Sequence, residues 1–210
     1  MINEVHQGDC LEVLRQIPDG SVDMILCDLP YGTTQCKWDT IIPFEPLWAE
    51  YRRVAKRNAA MVLTAAQPFT SVLIGSNLKE FKYTWVWEKS KATGYLNAKK
   101  MPMRAHEDVC IFYRKPPIYN PQMWESTPYN KGSAHRPTEV YGKQKEVLVK
   151  NDTGLRYPRT VQYFKTAESE GKVYHPTQKP ISLFKYLIET YTIEGGVVLD
   201  SCLGAGTTAL

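Results

Sequence analysis

This chain of 210 residues lacks several features, and each absence excludes a class of protein. No apolar run approaches the roughly 20 residues of a membrane-spanning helix, so no membrane partner is expected. The first nine residues lack the basic, apolar and small-residue regions of a signal peptide. The five cysteines form no Cys-x-x-Cys pair. Together these absences predict reduced thiols and a cytoplasmic protein.

Metal-ligand spacing is also missing. The four histidines have no such spacing to one another or to the cysteines, so no metal site is predicted. What remains is an ordinary globular composition, with 43% hydrophobic and 23% charged residues, in a chain long enough for one well-packed core. The net charge of +4 allows an anionic partner without requiring one.

Apolar runs alternate with helical patterns along most of the chain. Strands are predicted at 22–27, 59–65, 82–88, 108–113 and 197–199, and helices at 10–17, 44–56, 69–78 and 181–190. This alternation favours an α/β fold with a mostly parallel, twisted sheet and helices on both faces. Residues 82–113 could instead form an antiparallel pair joined by a loop.

Residues 116–172 interrupt that alternation. They contain nine Lys/Arg against six Asp/Glu, seven scattered aromatic residues and little regular patterning. A basic, aromatic insert suits nucleic acid through phosphate charge and base stacking, although a plain surface insertion has a similar composition. The chain thus divides into 1–115, an insert at 116–172, and 173–210.

A glycine-rich turn follows the last predicted strand, in the stretch VVLDSCLGAGTT. Gly204 and Gly206 allow a ligand to approach the backbone, and Asp200 stands at the strand end, as in nucleoside sites of parallel sheets. A phosphate-binding P-loop is excluded because no lysine follows the glycines. A dinucleotide fingerprint matches weakly, and a purely structural turn is the alternative.

A second strand end, in ILCDLPYGTT, places Asp28 directly before a proline and an aromatic ring. Pro30 fixes its own φ and stiffens the loop, and Tyr31 offers a flat face. These residues could form a pocket for a planar group, or Asp28 could simply cap a turn.

Taken together, these motifs resemble those of the DNA amino-methyltransferases that use S-adenosylmethionine. DLPY at 28–31 resembles the target-base motif D/N/S-P-P-Y, and DSCLGAG at 200–206 resembles the cofactor motif. HPTQKP at 175–180 resembles the segment beside the cofactor's methionine, and GDC at 8–10 the strand end whose acid contacts its adenine. The order of the motifs is similar to that of the circularly permuted β group.

The resemblance implies a Rossmann-like class I fold and a role for each matching residue. The catalytic residues would be Asp28, Leu29, Pro30 and Tyr31. The residues implied to bind S-adenosylmethionine are Asp9, Cys10, Asp28, Thr177, Lys179, Pro180, Asp200, Ser201, Cys202, Gly204, Gly206 and Thr207. The insert would recognise the target sequence, and the partner would be double-stranded DNA in a bacterial or phage-infected cell, with a homodimer left open.

The chemistry implied is direct methyl transfer to the exocyclic N6 amine of a flipped-out adenine. Asp28 and a carbonyl of Leu29 or Pro30 would accept hydrogen bonds from the amine and stabilise its developing charge, and Tyr31 would stack on the base. Asp at the first motif position favours adenine N6, with cytosine N4 as the alternative. Cytosine C5 methylation would need a Pro-Cys nucleophile, and no such dipeptide exists here.

Basic residues outside the motifs are candidates for DNA contact. Lys37 and Trp38 follow the target-base motif, with a packing role as the alternative for Trp38. Residues 89–104 are expected to form a basic loop, which is either a DNA contact or a solvated loop. The DNA-binding residues predicted are Lys37, Trp38, Lys89, Lys91, Arg104 and Arg136.

The chain ends soon after the glycine turn, where the family continues to a further strand whose acid binds the cofactor ribose. We therefore expect weak cofactor binding by the 210-residue chain. A DNA-binding module without catalysis, and an RNA or protein amino-methyltransferase, are the competing functions.

Overall fold

The computed structural model describes residues 3–134, 142, 147–175 and 177–209. Its helices are α1 (Cys10–Leu14), α2 (Phe44–Val54), α3 (Phe69–Ser76), α4 (Ala167–Glu170) and α5 (Ile181–Tyr191). Its strands are β1 (Val22–Cys27), β2 (Ala55–Ala65), β3 (Phe81–Thr93), β4 (Arg104–Phe112), β5 (Trp124–Glu125), β6 (Tyr129–Ala134), β7 (Val147–Asn151), β8 (Leu155–Arg156), β9 (Val161–Phe164) and β10 (Val198–Leu199). Single 3-10 turns cover Tyr95–Asn97 and Thr207–Ala209.

Six strands form the main sheet, in the order β10-β1-β2-β4-β3-β9. The pairs β10–β1, β1–β2 and β3–β9 are parallel, whereas β4 runs antiparallel to both of its neighbours. The predicted α/β fold is therefore confirmed, and so is the antiparallel alternative for residues 82–113. Among the described residues, the last strand, β10, lies beside the first, β1.

Helices cover both faces of this sheet because its central strands bury side chains in both directions. On one face, Ile25 and Cys27 of β1 join a core formed with α2 and α3. On the other face, Met24 and Leu26 pack in a second core with Leu187 of α5. All four of these β1 side chains are fully buried, as the continuous apolar run predicts.

Two compact units divide the chain, one containing residues up to Asn120 and from Thr160 onward, the other Pro121–Arg159. The second unit holds two small antiparallel ribbons, β5–β8 and β6–β7. It is shorter than the insert predicted at 116–172, because β9 pairs with β3 in the main sheet. A parallel pairing across more than seventy residues leaves no local sequence signal.

No helix among the described residues is long and apolar enough to cross a membrane.

Candidate active site

One edge of the main sheet collects polar side chains from four strands. Asp28 follows the carboxyl end of β1, Asp200 follows that of β10, and Thr64 lies near that of β2. Because β4 is antiparallel, its amino end brings Glu107 to the same edge. In α/β sheets this edge is where ligands bind.

The Asp28 carboxylate has partners on both oxygens. Its Oδ1 accepts hydrogen bonds from the hydroxyls of Tyr31, at 2.9 Å, and Thr64. Its Oδ2 accepts a 2.7 Å hydrogen bond from the ammonium of Lys179. The carboxylate is thus oriented by three donors from three segments of the chain, and only Oδ2 keeps a lone pair free. Thr64 has no motif around it, so the sequence did not reveal its role.

Lys179 links Asp28 to a second buried ion pair. Its Nζ lies 3.6 Å from Oε2 of Glu107, whose Oε1 lies 3.3 Å from the ammonium of Lys89. The side chains of Lys179 and Lys89 are only 8% and 5% exposed. Burial opposes the charge of Lys179, but the carboxylates of Asp28 and Glu107 outweigh it and raise its pKa. Two ammoniums and two carboxylates therefore balance in one network, in which Glu107 Oε2 has no hydrogen-bond partner.

This network corrects the prediction that Lys89 belongs to an exposed basic loop. Lys89 lies inside β3, which runs on to Thr93, and its ammonium faces Glu107 instead of solvent. Lys91 and Arg104 also lie in strands, but both are exposed. The prediction for Arg136 falls outside the described residues.

Tyr31 is held by its hydroxyl and by one ring face. Its ring stacks on Phe69, with centroids 5.0 Å apart and planes 22° apart. Burial, together with the charges of Asp28 and Glu107, raises the pKa of the Tyr31 phenol well above its usual value, so it remains a donor. The Lys179 ammonium also lies over this ring, 5.3 Å from its centroid, and stacking of Tyr31 on a base stays a prediction. The adjacent Leu29 packs into the core, and Pro30 is half-buried.

The loop after this motif is tied down by Asp39, which the sequence did not single out. Its carboxylate accepts hydrogen bonds from the backbone N–H groups of Gly32, Thr33 and Thr34, at 2.8, 2.9 and 2.7 Å. Lys37, in the same loop, is exposed, and Trp38 is half exposed with its ring 5.2 Å from that of His175. Asp39 therefore shapes the loop that carries both predicted DNA contacts.

The glycine turn begins at Asp200, which organises it from within. Asp200 accepts hydrogen bonds from the N–H of Cys202, at 2.9 Å, and from the hydroxyl of Thr208, at 2.5 Å. Burial raises the pKa of this carboxyl. Gly204 and Gly206 have φ of 54° and 81°, a region that glycine adopts without strain.

Ser201 anchors the turn to α2 and β1. Its hydroxyl lies 2.7 Å from the Tyr51 hydroxyl and 3.4 Å from the Cys27 sulfur. The HPTQKP segment meets the turn where Thr207 donates a 3.3 Å hydrogen bond to the carbonyl of Lys179. Of the other predicted residues in that segment, Thr177 is exposed and Pro180 is buried at the start of α5.

The GDC segment also reaches the turn, though not in the way predicted. No strand precedes Asp9 in the described residues from 3 onward, and Asp9 instead caps α1, accepting from the N–H of Leu11 at 2.9 Å. The segment has too few apolar residues to hold a place in the sheet. A hydrogen bond with Cys202 lowers the pKa of the Cys10 thiol to about 7.

The glycine turn borders open space. A Cβ added at Gly206 would meet nothing within 4 Å, and one at Gly204 only the Cys202 carbonyl at 3.7 Å. Open space thus lies in front of a backbone that is flanked by Asp200 and Cys10. Among the described residues, no group of three or more His, Cys, Asp or Glu side chains could hold a metal ion.

Known proteins with similar sequences are DNA methyltransferases. The model of the family N6_N4_Mtase, described as DNA methylase, matches residues 22–210. Type II methyltransferase M.HindIII of Haemophilus influenzae is 23% identical over 287 residues, covering 100% of this chain and 87% of that protein. Type II methyltransferase M1.MboII of Moraxella bovis is 25% identical over 233 residues, covering 100% and 86%.

Solved structures show the same fold. The M1.HpyAVI–SAM complex superposes with a TM-score of 0.61 at 20% identity, covering 98% of this chain and 85% of that one. The cytosine-N4-specific PvuII DNA methyltransferase superposes with a TM-score of 0.57 at 14% identity, covering 92% and 71%. The fold is therefore the Rossmann-like class I methyltransferase fold that the motifs implied. Because the family model spans residues 22–210, this chain belongs to the N6/N4 family of DNA methylases, which are S-adenosylmethionine-dependent DNA methyltransferases.

Proposed function

We propose that this chain methylates the exocyclic N6 amine of adenine in double-stranded DNA, acting on a base flipped out of the helix. The observation that carries the proposal is the Asp28 carboxylate, fixed by three donors at the ligand-binding edge of the sheet and beside an open glycine turn. A target base inside the duplex cannot reach such an edge, so it must leave the stack.

The proposed role of Asp28 is to make the adenine amine a better nucleophile. The lone pair of an adenine amine is delocalised into the ring, and hydrogen-bond acceptors aimed at its protons favour tetrahedral nitrogen. They also stabilise the positive charge that develops during attack. Asp28 would be one acceptor and a main-chain carbonyl of Leu29 or Pro30 the other. The Leu29 side chain is buried in the core, so leucine in place of the commoner proline leaves this backbone role intact.

Lys179 and Glu107 make room for the amine. Oδ2 of Asp28 already has Lys179 as a donor at 2.7 Å. Oε2 of Glu107 lies 3.6 Å from the same ammonium and lacks a hydrogen-bond partner. We propose that Lys179 shifts toward Glu107 when the amine binds Oδ2, so that no buried charge is left unpaired at any stage.

The cofactor would lie against the glycine turn, near Asp200, Ser201, Cys202 and the GDC segment. When bound, S-adenosylmethionine supplies an activated methyl group on its sulfonium. The residues of the chain therefore bind, orient and exclude water, and no covalent enzyme intermediate is needed. On the DNA side, Lys37, Trp38, Lys91 and Arg104 remain the proposed contacts, and Pro121–Arg159 the proposed recognition unit.

The test is transfer of labelled methyl from cofactor to unmethylated genomic DNA, followed by digestion and mass spectrometry of the nucleosides. We expect N6-methyladenine. Asp28→Asn should reduce kcat by about 10²–10³-fold, the usual effect of removing one preorganised electrostatic contact. Sequencing of the modified DNA would locate the target site.

The matched control is Asp19→Asn, a 79% exposed acid that precedes β1 at the opposite edge of the sheet, which should retain full activity. Detection of N4-methylcytosine instead would show that the target base is cytosine and would overturn the proposed adenine specificity. Equal activity of the Asp28 variant and the wild type would remove Asp28 from the mechanism.

A further inference from the structure

The hairpin formed by β3 and β4 extends beyond the rest of the sheet. On one side β9 pairs with β3 only from Val86 to Lys89, and on the other β2 pairs with β4 only from Asp108 to Phe112. Residues 90–106 therefore form an arm without neighbouring strands in the main sheet. From Lys89 to Thr93 the arm covers about 13 Å, at about 3.3 Å per residue. It leaves from the same edge that holds Asp28.

The end of the arm, residues 94–103, is the hairpin tip, and its large apolar side chains face solvent. Tyr95 is 73% exposed, Leu96 82%, Met101 58% and Met103 41%. A surface cluster of this kind usually marks a site of interaction. The apolar cluster therefore needs a partner that the sheet does not provide.

The backbone of the tip is ordered by its own hydrogen bonds. Gly94, at φ 88°, turns the chain into the 3-10 turn Tyr95–Asn97. The carbonyl of Asn97 then accepts from the N–H groups of Lys100, at 2.8 Å, and Met101, at 3.0 Å. An internally bonded turn presents its side chains in a fixed direction, as an inserting element requires.

The charge of the arm identifies the partner. Residues 90–106 contain four cations and no Asp or Glu: Lys91, Lys99, Lys100 and Arg104. Cations beside exposed apolar groups complement a polyanion that also offers an apolar interior. Duplex DNA has both, phosphates outside and stacked bases inside, and proteins commonly insert Leu or Met side chains between base steps.

We propose that the hairpin tip is a wedge that enters the base stack next to the target base and keeps the opened position from closing. The inference rests on the proposed function and adds to it the element that opens the duplex. The root of the arm is fixed to the catalytic acid, because Glu107 and Lys89 share the buried network with Lys179 and Asp28. The tip and the pocket are thereby held in a constant relation.

The test compares two duplexes carrying the mapped target site, one fully paired and one with an abasic position opposite the target base, where opening costs little. Leu96→Ala/Met101→Ala should lower kcat/KM at least tenfold on the paired duplex and less than threefold on the other. The matched control Val72→Ala/Leu78→Ala removes side chains that are 51% and 69% exposed, outside the arm, and should change neither value.

A charge variant separates the wedge from simple attraction. Lys99→Ala/Lys100→Ala should weaken binding to both duplexes equally. It should also make the plot of log K for DNA binding against log[salt] less steep, reducing the magnitude of its slope by about two. Equal loss on both duplexes for Leu96→Ala/Met101→Ala, or no loss on either, would overturn the wedge. A third outcome would also overturn it: the wild type binds lipid vesicles, Leu96→Ala/Met101→Ala abolishes that binding, and methyl transfer to DNA is unchanged.

A binding measurement keeps the wedge testable if the wild type transfers no methyl group, the result that would refute the proposed function. Fluorescence anisotropy with a duplex containing one base mismatch should show wild-type binding about tenfold tighter than to the matched duplex. The Leu96→Ala/Met101→Ala variant should bind the two equally. If the wild type binds the mismatched and matched duplexes equally, the wedge proposal is wrong.

Discussion

At Asp28, the proposed function depends on which carboxylate lone pairs are free. Oδ1 receives two hydroxyl donors, and Oδ2 receives Lys179, whose ammonium is shared with Glu107. The environment of the Asp28 carboxylate thus depends on Glu107, a residue that has no contact with the proposed substrate. Like Thr64, Glu107 was not revealed by the motifs, since its partners Lys89 and Lys179 lie far from it in sequence.

Glu107→Gln tests this dependence. It would leave two ammoniums, 5% and 8% exposed, opposite one carboxylate, and losing one partner of a buried ion pair destabilises a fold by about 3 kcal/mol. We expect that loss in urea-induced unfolding, with kcat reduced and cofactor affinity unchanged by calorimetry. Glu88→Gln, an exposed acid on β3, is the control and should behave like wild type. Wild-type stability and kcat for Glu107→Gln would show that the network does not act on Asp28.

At the scale of elements, the sequence predicted what local patterns encode. β1 was predicted at its observed bounds because it is apolar at every position except Asp23, and α2 and α5 begin at the predicted residues. The early start of β2, at Ala55, depends on pairing with Val22. The extension of β3 beyond Glu88 depends on the pairing of Lys89 with Phe164 of β9 and of Thr93 with Arg104 of β4. Such pairings join segments that are distant in sequence. The polar residues within them have no local strand pattern, so the sequence predicts a loop there.

The loop at 32–39 is an element that one side chain holds together. Burial alone would raise the pKa of Asp39, but the backbone donors of Gly32, Thr33 and Thr34 lower it below its usual value of 3.8. The carboxylate therefore stays ionised at neutral pH. Its stabilising effect is present above the usual pKa and is lost as pH falls through the lowered one.

Asp39→Ala should release this loop. We expect faster hydrogen exchange of the amides of residues 32–34, which lose their acceptor, and a fall in kcat/KM for DNA of about 10²-fold, the cost of a ~1 Å misplacement near a site. Thr40→Ala, which removes a single 3.5 Å hydrogen bond in the same loop, should leave both values unchanged. Unaltered exchange in Asp39→Ala would mean that other contacts hold the loop.

At the scale of the whole molecule, the site is assembled from opposite ends of the chain. The strand that precedes Asp28 is first in the main sheet by sequence, the strand that precedes Asp200 is last, and the sheet makes them neighbours. Between them, Pro121–Arg159 folds as a compact unit of its own. The unit proposed to recognise DNA is thus distinct from the unit that contains Asp28 and Asp200.

The unit Pro121–Arg159 presents cations beside aromatic rings. The Arg156 guanidinium lies 4.6 Å from the Tyr129 ring centroid and the Lys131 ammonium 5.2 Å from it, while Trp124 and Tyr157 are 47% and 70% exposed. Rings of this kind stack on bases, and the cations attract phosphate. If this unit recognises DNA, then removing an exposed ring should affect DNA binding alone.

Tyr157→Ala is the variant that checks this separation. DNA binding should weaken by about 1–3 kcal/mol, the usual contribution of one stacked base, as measured by fluorescence anisotropy on the mapped site. Cofactor affinity and the identity of the methylated base should not change, because Asp28, Asp200 and the glycine turn all belong to the other unit. Leu78→Ala, 69% exposed in that other unit, should bind DNA like wild type. A Tyr157→Ala variant that loses cofactor affinity while keeping DNA affinity would reverse the roles assigned to the two units.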